Sequence, residues 1–320
     1  MSGKGRRPGR DGRDKTATEA GETESTACTT PRIGAVIVTH DTRREALACI
    51  STLRPAGAEE VVLVDSGSSD GTAAAVRAAF PDVVVVELPN VGYGQAANIG
   101  LARTSSPYVV IANADTRFAS GSISALAAEL EACPDLGAVG PLVRYPDGRL
   151  QASARRFPTL PQAIGHALLG LWWPNNPWTR AYRMRDVDLD EPREVDWLSG
   201  CALALRREAF VKVGGFDPAY FMFVEDVDLG YRLRQAGWRM LFYPRAEVVH
   251  TVGASTRARR AAMVIEHAKS LDRFYGRAYA QGPGRLLRPF VRLGLLLWIG
   301  VTLGWGAIAG VRHGRSTTGE

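Results

Sequence analysis

Two groups of carboxylates stand where a predicted strand or helix begins or ends. In the first, the apolar, β-branched run at 109–111 stops at Asn113-Ala114-Asp115. A buried strand with that ending places a carboxylate at the carboxyl edge of an open α/β sheet, where such sheets bind ligands. A divalent cation carrying a phosphate would balance the charge. The alternative is that Asp115 or Thr116 caps the helix beyond Gly121, and the stretch alone leaves both open.

The second group opens a predicted helix at 225–237, which has an acidic first turn and a glycine stop. A carboxylate at a helix start is held by backbone N–H groups and can face a cleft. Glu225 and Asp226 are therefore candidates for a general base. Asp228 and Arg232 are four residues apart, which predicts an exposed helix pair with a structural role.

His250 and Asp65 each end a predicted strand. A lone histidine in such a place is more often structural, but His250 becomes a candidate ligand if Asp115 binds a metal. Asp65 precedes the polar turn at 66–72, and its carboxylate could accept a hydrogen bond from a nucleobase imide or a ribose hydroxyl. In the same turn, Asp70 is expected to form the turn and cap the next helix.

The segment 90–100, NVGYGQAANIG, is rich in glycine. Gly92, Gly94 and Ala97 mimic the dinucleotide-binding fingerprint, but that fingerprint belongs at the first strand–helix turn and this one follows the third strand. We therefore favour a helix start near a phosphate or a sugar. A nicotinamide-dependent dehydrogenase is the rival hypothesis, which nicotinamide-cofactor binding would test.

The elements that must position these groups alternate along the first half of the chain. Strands are predicted at Ile33–Thr39, 61–64, 83–86 and 108–113, with helical patterns between them. Short strand–helix–strand connections indicate parallel pairing in a doubly wound sheet. After residue 135 the pattern changes to short strand candidates at 138–143, 201–205, 239–243 and 246–250. A long amphipathic helix is predicted after them, at 259–279. The Trp- and Pro-rich stretch 171–183 is either a packed loop or an aromatic platform for a sugar or lipid.

Composition indicates a globular protein, with 46% hydrophobic residues and a net charge of +6. Residues 1–31 have almost no large apolar side chains and are predicted to be a disordered basic tail. No aromatic residues are interleaved with its basic ones, so nucleic acid is not an expected partner. The four cysteines have no metal or disulfide spacing and suit a reducing compartment. No apolar run resembling a signal peptide follows Met1.

The stretch 293–311 carries no charge and approaches the ~20 residues that span a bilayer. Arginines flank it on both sides, so its orientation stays open. We expect 281–320 to be a membrane-associating segment and tail; the alternative is a buried helix of a soluble core.

Six motifs, taken in order, resemble family 2 glycosyltransferases of the GT-A fold. They are VDSGSSDGT, NVGYGQAANIG, NADT, WLSGCALALRREAFVKVGGFD, YFMFVEDVDLGYRLRQAGW and EVVH, and they cover about residues 33–256. SARRFPTL and WPNNPWTRAYR are similar to actinobacterial rhamnosyltransferases of that family. The resemblance implies one domain at 32–280, with a Rossmann-like nucleotide-sugar half at 32–118, a mixed acceptor half at 119–258 and a helix at 259–280.

The resemblance also implies a reaction. An inverting enzyme at the cytoplasmic face of the membrane would move L-rhamnose from dTDP-L-rhamnose to N-acetylglucosamine on a polyprenyl diphosphate, for a cell-wall linker. A divalent metal, Mg²⁺ or Mn²⁺, would neutralise the leaving diphosphate. Alternatives are the same fold with galactofuranose or mannose, or a non-catalytic sugar-nucleotide-binding protein. The oligomeric state, including a homo-oligomer, stays open.

The resemblance assigns roles by position. Asp226 matches the catalytic base, with Glu225 beside it, and Asp115 and His250 match the metal site. Nucleotide-sugar contacts are expected at Thr39, Asp41, Asp65, Gly67, Asn90, Gly92, Gly94, Asn98 and Asn113. Acceptor contacts are expected at Trp197, Gly200, Phe221 and Phe223, whose aromatic members would offer the apolar wall that suits a deoxy sugar.

Overall fold

A computed structural model describes residues 31–157, 175–182, 190–251, 260–280 and 284–314, with the single positions 159, 162, 169 and 173. Nearly all of the predicted disordered tail at 1–31 lies outside the described residues. So do the residues beyond 314 and positions 171, 172, 174 and 183 of the Trp- and Pro-rich stretch 171–183, in which Pro177–Tyr182 form a helix.

The first half of the chain forms parallel strands with helices between them. Its elements are β1 (Ile33–Thr39), α1 (Arg43–Ala56), β2 (Glu60–Ser66), α2 (Thr72–Ala79), β3 (Val84–Leu88), α3 (Tyr93–Leu101) and β4 (Tyr108–Asn113). β1 pairs in parallel with both β2 and β4, and β2 pairs in parallel with β3. The strand order β3-β2-β1-β4 confirms the predicted doubly wound half.

Both faces of these strands are buried, which explains their unbroken apolar runs. Ile37, Leu63 and Val110 pack with Ile50 and Leu53 of α1 on one face. Their neighbours in sequence belong to a second core on the other face, among them Val36, Val64 and Ile111, together with Ala96 and Ala97 of α3.

The second half adds antiparallel strands and makes the sheet mixed, as predicted. Its elements are β5 (Thr116–Phe118), α4 (Ser122–Ala132), β6 (Leu136–Arg144), β7 (Leu150–Gln151), β8 (Ala154–Arg155), α5 (Pro177–Tyr182), β9 (Arg193–Val195), β10 (Trp197–Leu198), β11 (Ala202–Arg206), α6 (Arg207–Lys212), α7 (Glu225–Gln235) and β12 (Arg239–His250). β11 runs antiparallel between β4 and β6, and β12 pairs in parallel with β6. The two strands predicted at 239–243 and 246–250 are one strand, β12, whose register shifts between Tyr243 and Glu247.

Two helices close the described chain, α8 (Arg260–Ala278) and α9 (Gly284–Gly314). Within the described residues, Gly284–Gly304 is long and apolar enough to cross a membrane, with a mean hydropathy of 1.6, and none of its most apolar stretch is buried. Leu286, Phe290, Leu293 and Leu297 are exposed along one side of α9. The alternative of a buried core helix is therefore wrong. On its other side α9 meets α8, where Arg288 and Arg292 pair with Asp272.

Candidate active site

Several of the predicted site residues lie at the carboxyl edge of the sheet, around the crevice between β1 and β4. The strand order reverses here, because β2 lies on one side of β1 and β4 on the other. Thr39 lies level with Asp65, and Val38 level with Asn113. His250 ends β12 opposite Thr116, so it reaches the same edge. Open α/β sheets bind ligands at such a switch point.

The two loops that follow β1 and β2 are tied together by carboxylates. Asp65, which is buried, accepts a hydrogen bond from the Ser68 N–H at 2.8 Å. Asp41 accepts from the Ser69 N–H at 2.7 Å and from its hydroxyl, and the Asp41 N–H donates to the Ser68 hydroxyl. The Ser69 N–H lowers the pKa of Asp41. These loops are therefore set in shape before any ligand binds.

Other polar groups of this loop pair serve the protein itself. Asp70 accepts from the N–H groups of Thr72 and Arg43, which confirms its predicted role in the turn. Thr39 is 3% exposed and its hydroxyl bonds that of Thr42, so it lies below the surface that we predicted it to share with the nucleotide. Asn90 is exposed, and its side-chain oxygen accepts from the Gly92 N–H at 3.3 Å.

Gly67 brings the loop after β2 close to Asn90. Its φ is +78°, and a Cβ on Gly67 would stand 3.1 Å from the backbone nitrogen of Asn90. A side chain at this position would be strained and crowded. The glycine therefore keeps the two loops in contact, and its predicted place beside a ligand stays a prediction.

The glycine-rich motif at 90–100 holds another part of the chain, where we predicted phosphate or sugar contacts. A Cβ on Gly92 would lie 2.2 Å from the carbonyl oxygen of Phe221, and one on Gly94 would lie 2.9 Å from the Cβ of Phe216. The Asn98 amide donates to the Phe216 carbonyl at 2.8 Å and accepts from its N–H at 2.9 Å. The close approach that the glycines permit is thus made by 216–221, and the Asn98 amide has a structural role there.

Asp115 and His250 face each other across the edge. Asp115 Oδ1 lies 3.1 Å from His250 Nε2, and both side chains are about nine-tenths buried. Asn113 Nδ2 is 3.4 Å from the same ring nitrogen, and Gln151 Oε1 is 3.0 Å from Nδ1. Burial lowers the pKa of His250, but the hydrogen bonds to Asp115 and to the Cys201 sulfur outweigh it and raise the pKa to about 10.

This geometry excludes one of the two roles left open for Asp115. β5 follows it directly, and α4 begins only at Ser122 with no side-chain cap, so the capping alternative is wrong. The donor set fits a divalent cation: a carboxylate faces an imidazole whose other nitrogen is held by an amide oxygen, as in metal-ligating histidines. Among the described residues no three His, Cys, Asp or Glu side chains form a metal cluster. Phosphate oxygens and water would complete the coordination.

Asp226 is fixed at the start of α7 by backbone donors. Its Oδ2 accepts from the Gly200 N–H at 2.8 Å, and its Oδ1 from the Val227 N–H at 2.8 Å. The Gly200 carbonyl in turn accepts from the Tyr93 hydroxyl at 2.5 Å. The next residue, Cys201, accepts from the Asn113 N–H at 3.0 Å. The segment 199–201 thus joins the end of β4 to the start of α7.

Burial raises the pKa values of both acids at the start of α7. For Asp226, the N–H groups of Gly200 and Val227 oppose this effect, whereas for Glu225 the charge of Asp226 adds to it. One Glu225 oxygen, Oε2, is buried with no hydrogen-bond partner among the described residues. Burial and the nearby charges of Glu225, Asp226 and Asp115 also raise the pKa of Tyr93. Tyr93 therefore interacts electrostatically with all three carboxylates.

The predicted acceptor contacts lie in different surroundings. Trp197 is 5% exposed: the Arg155 guanidinium lies 5.0 Å from its ring, and its Cβ lies 2.7 Å from where a Cβ on Gly230 would stand. Packing under α7 therefore gives Trp197 a core role, against our prediction. Phe221 and Phe223 are half-buried in the segment before α7, and Phe223 packs on His267 of α8. Phe223 and Val224 both have positive φ, 66° and 67°, so this segment is conformationally strained.

Asp228 is part of a buried charge network, against our prediction of an exposed pair. Its side chain is fully buried and accepts from Arg232 Nε at 2.7 Å and from the Tyr220 hydroxyl at 3.2 Å. Arg277 of α8 adds hydrogen bonds at 2.8 and 3.0 Å, and also bonds Asp217. The network joins α7, the segment before it and α8.

Sequence reasoning missed two residues that shape the site. Tyr93 lies inside the motif NVGYGQ, and its place between two glycines at a helix start could have marked it. Gln151, which holds His250, stands in a short edge strand with no local pattern that would reveal it.

Family profiles and relatives of known function match this sequence. The sequence profile of glycosyl transferase family 2 matches residues 35–214, and that of the N-terminal domain of galactosyltransferase matches 187–254. The chain is 43% identical over 233 residues to the N-acetylglucosaminyl-diphospho-decaprenol L-rhamnosyltransferase of Mycobacterium tuberculosis, covering 69% of this chain and 75% of that protein. It is 33% identical over 125 residues to the rhamnosyltransferase WbbL of Escherichia coli, covering 39% and 44%.

Among solved structures, the mannosyltransferase PcManGT from Pyrobaculum calidifontis, determined with GDP-Man and Mn²⁺, has a TM-score of 0.55 at 19% identity. The likeness covers 89% of this chain and 81% of that one. It confirms the predicted GT-A type of fold.

Proposed function

This chain belongs to glycosyl transferase family 2, and we propose that it transfers L-rhamnose from dTDP-L-rhamnose to N-acetylglucosamine carried on a polyprenyl diphosphate. The chain is an enzyme of the glycosyltransferase class. The acceptor chemistry is that printed in the name of the mycobacterial relative, and 43% identity over most of both chains supports carrying it over. The nucleotide of the donor is our inference.

The nucleotide-sugar half, 32–118, would bind the donor. The loops after β1 and β2 present Asp41 and Asp65 at the crevice, and hydrogen bonds from Ser68 and Ser69 hold both carboxylates. Asp65 would accept from the base or ribose, and Asn113 lies where the sugar diphosphate would enter beside β4. Because the loops already have their shape, little ordering would accompany binding.

Asp115 and His250 would hold a divalent metal, Mg²⁺ or Mn²⁺, together with the donor diphosphate. When bound, that metal supplies Lewis-acid stabilisation of the leaving group. Gln151 keeps the imidazole of His250 turned so that Nε2 faces Asp115. The described chain offers only this pair, so the diphosphate itself would complete the site.

Asp226 would be the general base that takes the proton of the acceptor hydroxyl as the hydroxyl attacks the anomeric carbon. Its two oxygens are aligned by Gly200 and Val227, and burial raises its pKa, so the carboxylate is a stronger base than in water. One in-line displacement inverts the anomeric carbon. Glu225 is buried one residue earlier and would shape the field around this base.

The acceptor half, 119–258, would receive the sugar of a lipid, with Phe221 and Phe223 as candidates for an apolar wall. A lipid-linked acceptor suits the exposed apolar side of α9 and its arginines, which would place the enzyme at the cytoplasmic face of the membrane. Residues 259–280 would connect the catalytic domain to this membrane-associating segment.

The observation that carries the proposal is the segment 199–201. Through Cys201 it bonds Asn113 at the end of β4, two residues before Asp115, and through Gly200 it holds Asp226. This link supports a reaction in which a metal-bound leaving group and a carboxylate base would act at one edge, as a displacement at a nucleotide sugar requires.

The test is direct transfer by the full-length protein in detergent. Polyprenyl-diphosphate-linked N-acetylglucosamine is incubated with a panel of nucleotide sugars, with and without EDTA, and the lipid product is weighed by mass spectrometry. We expect the mass gain of a deoxyhexose from dTDP-L-rhamnose only, loss of product with EDTA, and recovery with Mg²⁺ or Mn²⁺. A hexose gain would refute rhamnose and leave the glycosyltransferase, and product formed equally in EDTA would refute the metal.

A further inference from the structure

A cavity of about 500 Å³ opens between α8, α9 and the segment 219–221, beyond the residues assigned above to donor, metal and base. Four cationic and two acidic side chains line it: Lys269, Arg273, Arg277, Arg288, Glu266 and Asp272. Its lining is therefore positively charged, and a pocket of this kind suits an anion.

Most of these cations already have acidic partners. Arg277 pairs with Asp217 and Asp228, Arg288 with Asp272, and Lys269 with Glu266 at 2.6 Å. Arg273 differs. Its guanidinium lies over the face of Tyr220, 5.7 Å from the ring centroid, and no carboxylate of the described residues pairs with it. It is exposed and its guanidinium is available for two parallel hydrogen bonds to a phosphate.

The cavity lies between the base and the apolar helix. Phe221 forms part of its wall, and the Phe221 carbonyl accepts from the N–H of Tyr93, whose hydroxyl holds the Gly200 segment that positions Asp226. Phe221 and Asp226 are five positions apart in sequence, so their Cα atoms lie within about 18 Å of each other. On the other side, Arg288 belongs to α9, whose exposed stripe begins with Leu286 and Phe290.

From this placement we propose that the cavity binds the diphosphate of the lipid-linked acceptor, with Arg273 as its principal ligand. The inference rests on the proposed function, because only an acceptor joined to its lipid through a diphosphate needs such a site. A chain that leaves the membrane along α9 and ends with a sugar at Asp226 has its diphosphate between the two. The donor diphosphate is bound elsewhere, at Asp115 and His250.

Equilibrium binding of farnesyl diphosphate to the full-length protein in detergent tests this proposal without any sugar or transfer. We expect Arg273→Gln to weaken binding about 10- to 100-fold, the range for losing hydrogen bonds to a charged group. Arg273→Lys should recover part of the affinity, because it restores the charge. The matched control is Arg103→Gln, an exposed arginine at the end of α3, which should bind like wild type. Binding of dTDP should be the same in all four proteins.

Three results would overturn the proposal. In the first, Arg273→Gln binds farnesyl diphosphate as tightly as wild type does. In the second, dTDP displaces farnesyl diphosphate and substitution of Arg273 has no effect on that displacement. In the third, pyrophosphate binds as tightly as farnesyl diphosphate. The last would indicate a site for free diphosphate. If farnesyl diphosphate binds through Arg273 but no rhamnosyl transfer occurs, the proposed donor is wrong and the lipid-diphosphate site stands.

Discussion

A loop carboxylate of the nucleotide-sugar half, Asp41, and two acids of the acceptor half, Glu225 and Asp226, are held in opposite ways. Asp41, in the first, is exposed and accepts hydrogen bonds from Ser69, and the Ser69 N–H lowers its pKa. Glu225 and Asp226, in the second, are packed at a helix start, where burial raises their pKa values. The loop after β1 thus stabilises the negative charge of Asp41, whereas the start of α7 makes the charges of Glu225 and Asp226 costly.

This contrast matches the two tasks of a displacement reaction. A carboxylate that must hold a ligand in a fixed position serves best when it stays charged and its hydrogen bonds fix its direction. A carboxylate that must take a proton serves best when its pKa lies closer to the working pH. With the proposed roles, the same side-chain type would act as an anchor in a loop and as a base at a helix start, and its surroundings would decide which.

The largest effect is expected from removing the base. Asp226→Asn keeps the shape of the side chain and its place at Gly200 but cannot take a proton, so kcat should fall by ~10²–10⁴-fold. The KM for the donor should stay close to the wild-type value. Steady-state kinetics with saturating acceptor measures both.

The matched variant in the other half is Asp65→Asn. It removes an acceptor aimed at the nucleotide, so the KM for the donor should rise about 10-fold or more, with a smaller change in kcat. Near-normal turnover by Asp226→Asn, or equal loss of kcat in both variants, would remove the distinction between the two halves.

Much of the fold could be predicted from local sequence. Runs such as Ile33–Thr39 are apolar at every position because both faces of the strand are buried, so pattern and structure agree. The antiparallel insertion of β11 between β4 and β6 could not be predicted, because strand pairing depends on distant partners. β12 was mistaken for two strands because Pro244 lacks an N–H and disturbs the register without ending the strand.

The site shows a similar limit. The place of Asp115 at the edge beside His250 could be predicted because the carboxyl edge of a parallel sheet is a general binding position, and its role as a metal ligand stays a prediction. Asn98 and its neighbouring glycines were misassigned because a glycine-rich helix start looks the same whether a phosphate or a backbone approaches it. Asp228 was misjudged because the spacing rule sees Arg232 on the same helix but not Arg277, 49 residues later.

The next prediction compares ion pairs in the two halves. Asp228→Asn leaves Arg232 and Arg277 facing a neutral side chain in a buried network. We expect a loss of about 2–3 kcal/mol in the free energy of unfolding, less than the ~3–5 kcal/mol of a fully buried pair because 36% of the Arg277 side chain is exposed. In the nucleotide-sugar half, Asp82→Asn breaks the exposed pair with Arg54 and should leave stability within measurement error. Urea unfolding monitored by circular dichroism compares the two, and equal losses would contradict the network.

The smallest effect on kcat at neutral pH is expected from Glu225→Gln. The pH dependence of stability should distinguish this variant from wild type. Burial and the charge of Asp226 raise the pKa of Glu225 to about 8, so at pH 7 the folded side chain is mostly protonated and glutamine in its place should change kcat little. A raised folded-state pKa means that stability is complete below the unfolded value and is lost as pH rises through the folded value. Wild type should therefore lose stability as pH rises from about 4.5, the ordinary glutamate value, to about 8, whereas the variant keeps it and is the more stable of the two at pH 7.

Asp70 of the nucleotide-sugar half should show the opposite dependence. Burial acts to raise its pKa, but the hydrogen bonds from Thr72 and Arg43 outweigh it and lower the pKa. The stability that Asp70 contributes is present above its unfolded value and is lost as pH falls through the folded one. Asp70→Asn should therefore be less stable than wild type at pH 7 and equal to it in acid. Thermal unfolding from pH 3 to 9 measures the stability of both Glu225→Gln and Asp70→Asn.

A Glu225→Gln enzyme without transfer activity at pH 7 would move the role of base from Asp226 to Glu225, because glutamine matches the protonated acid in everything except the ability to exchange a proton.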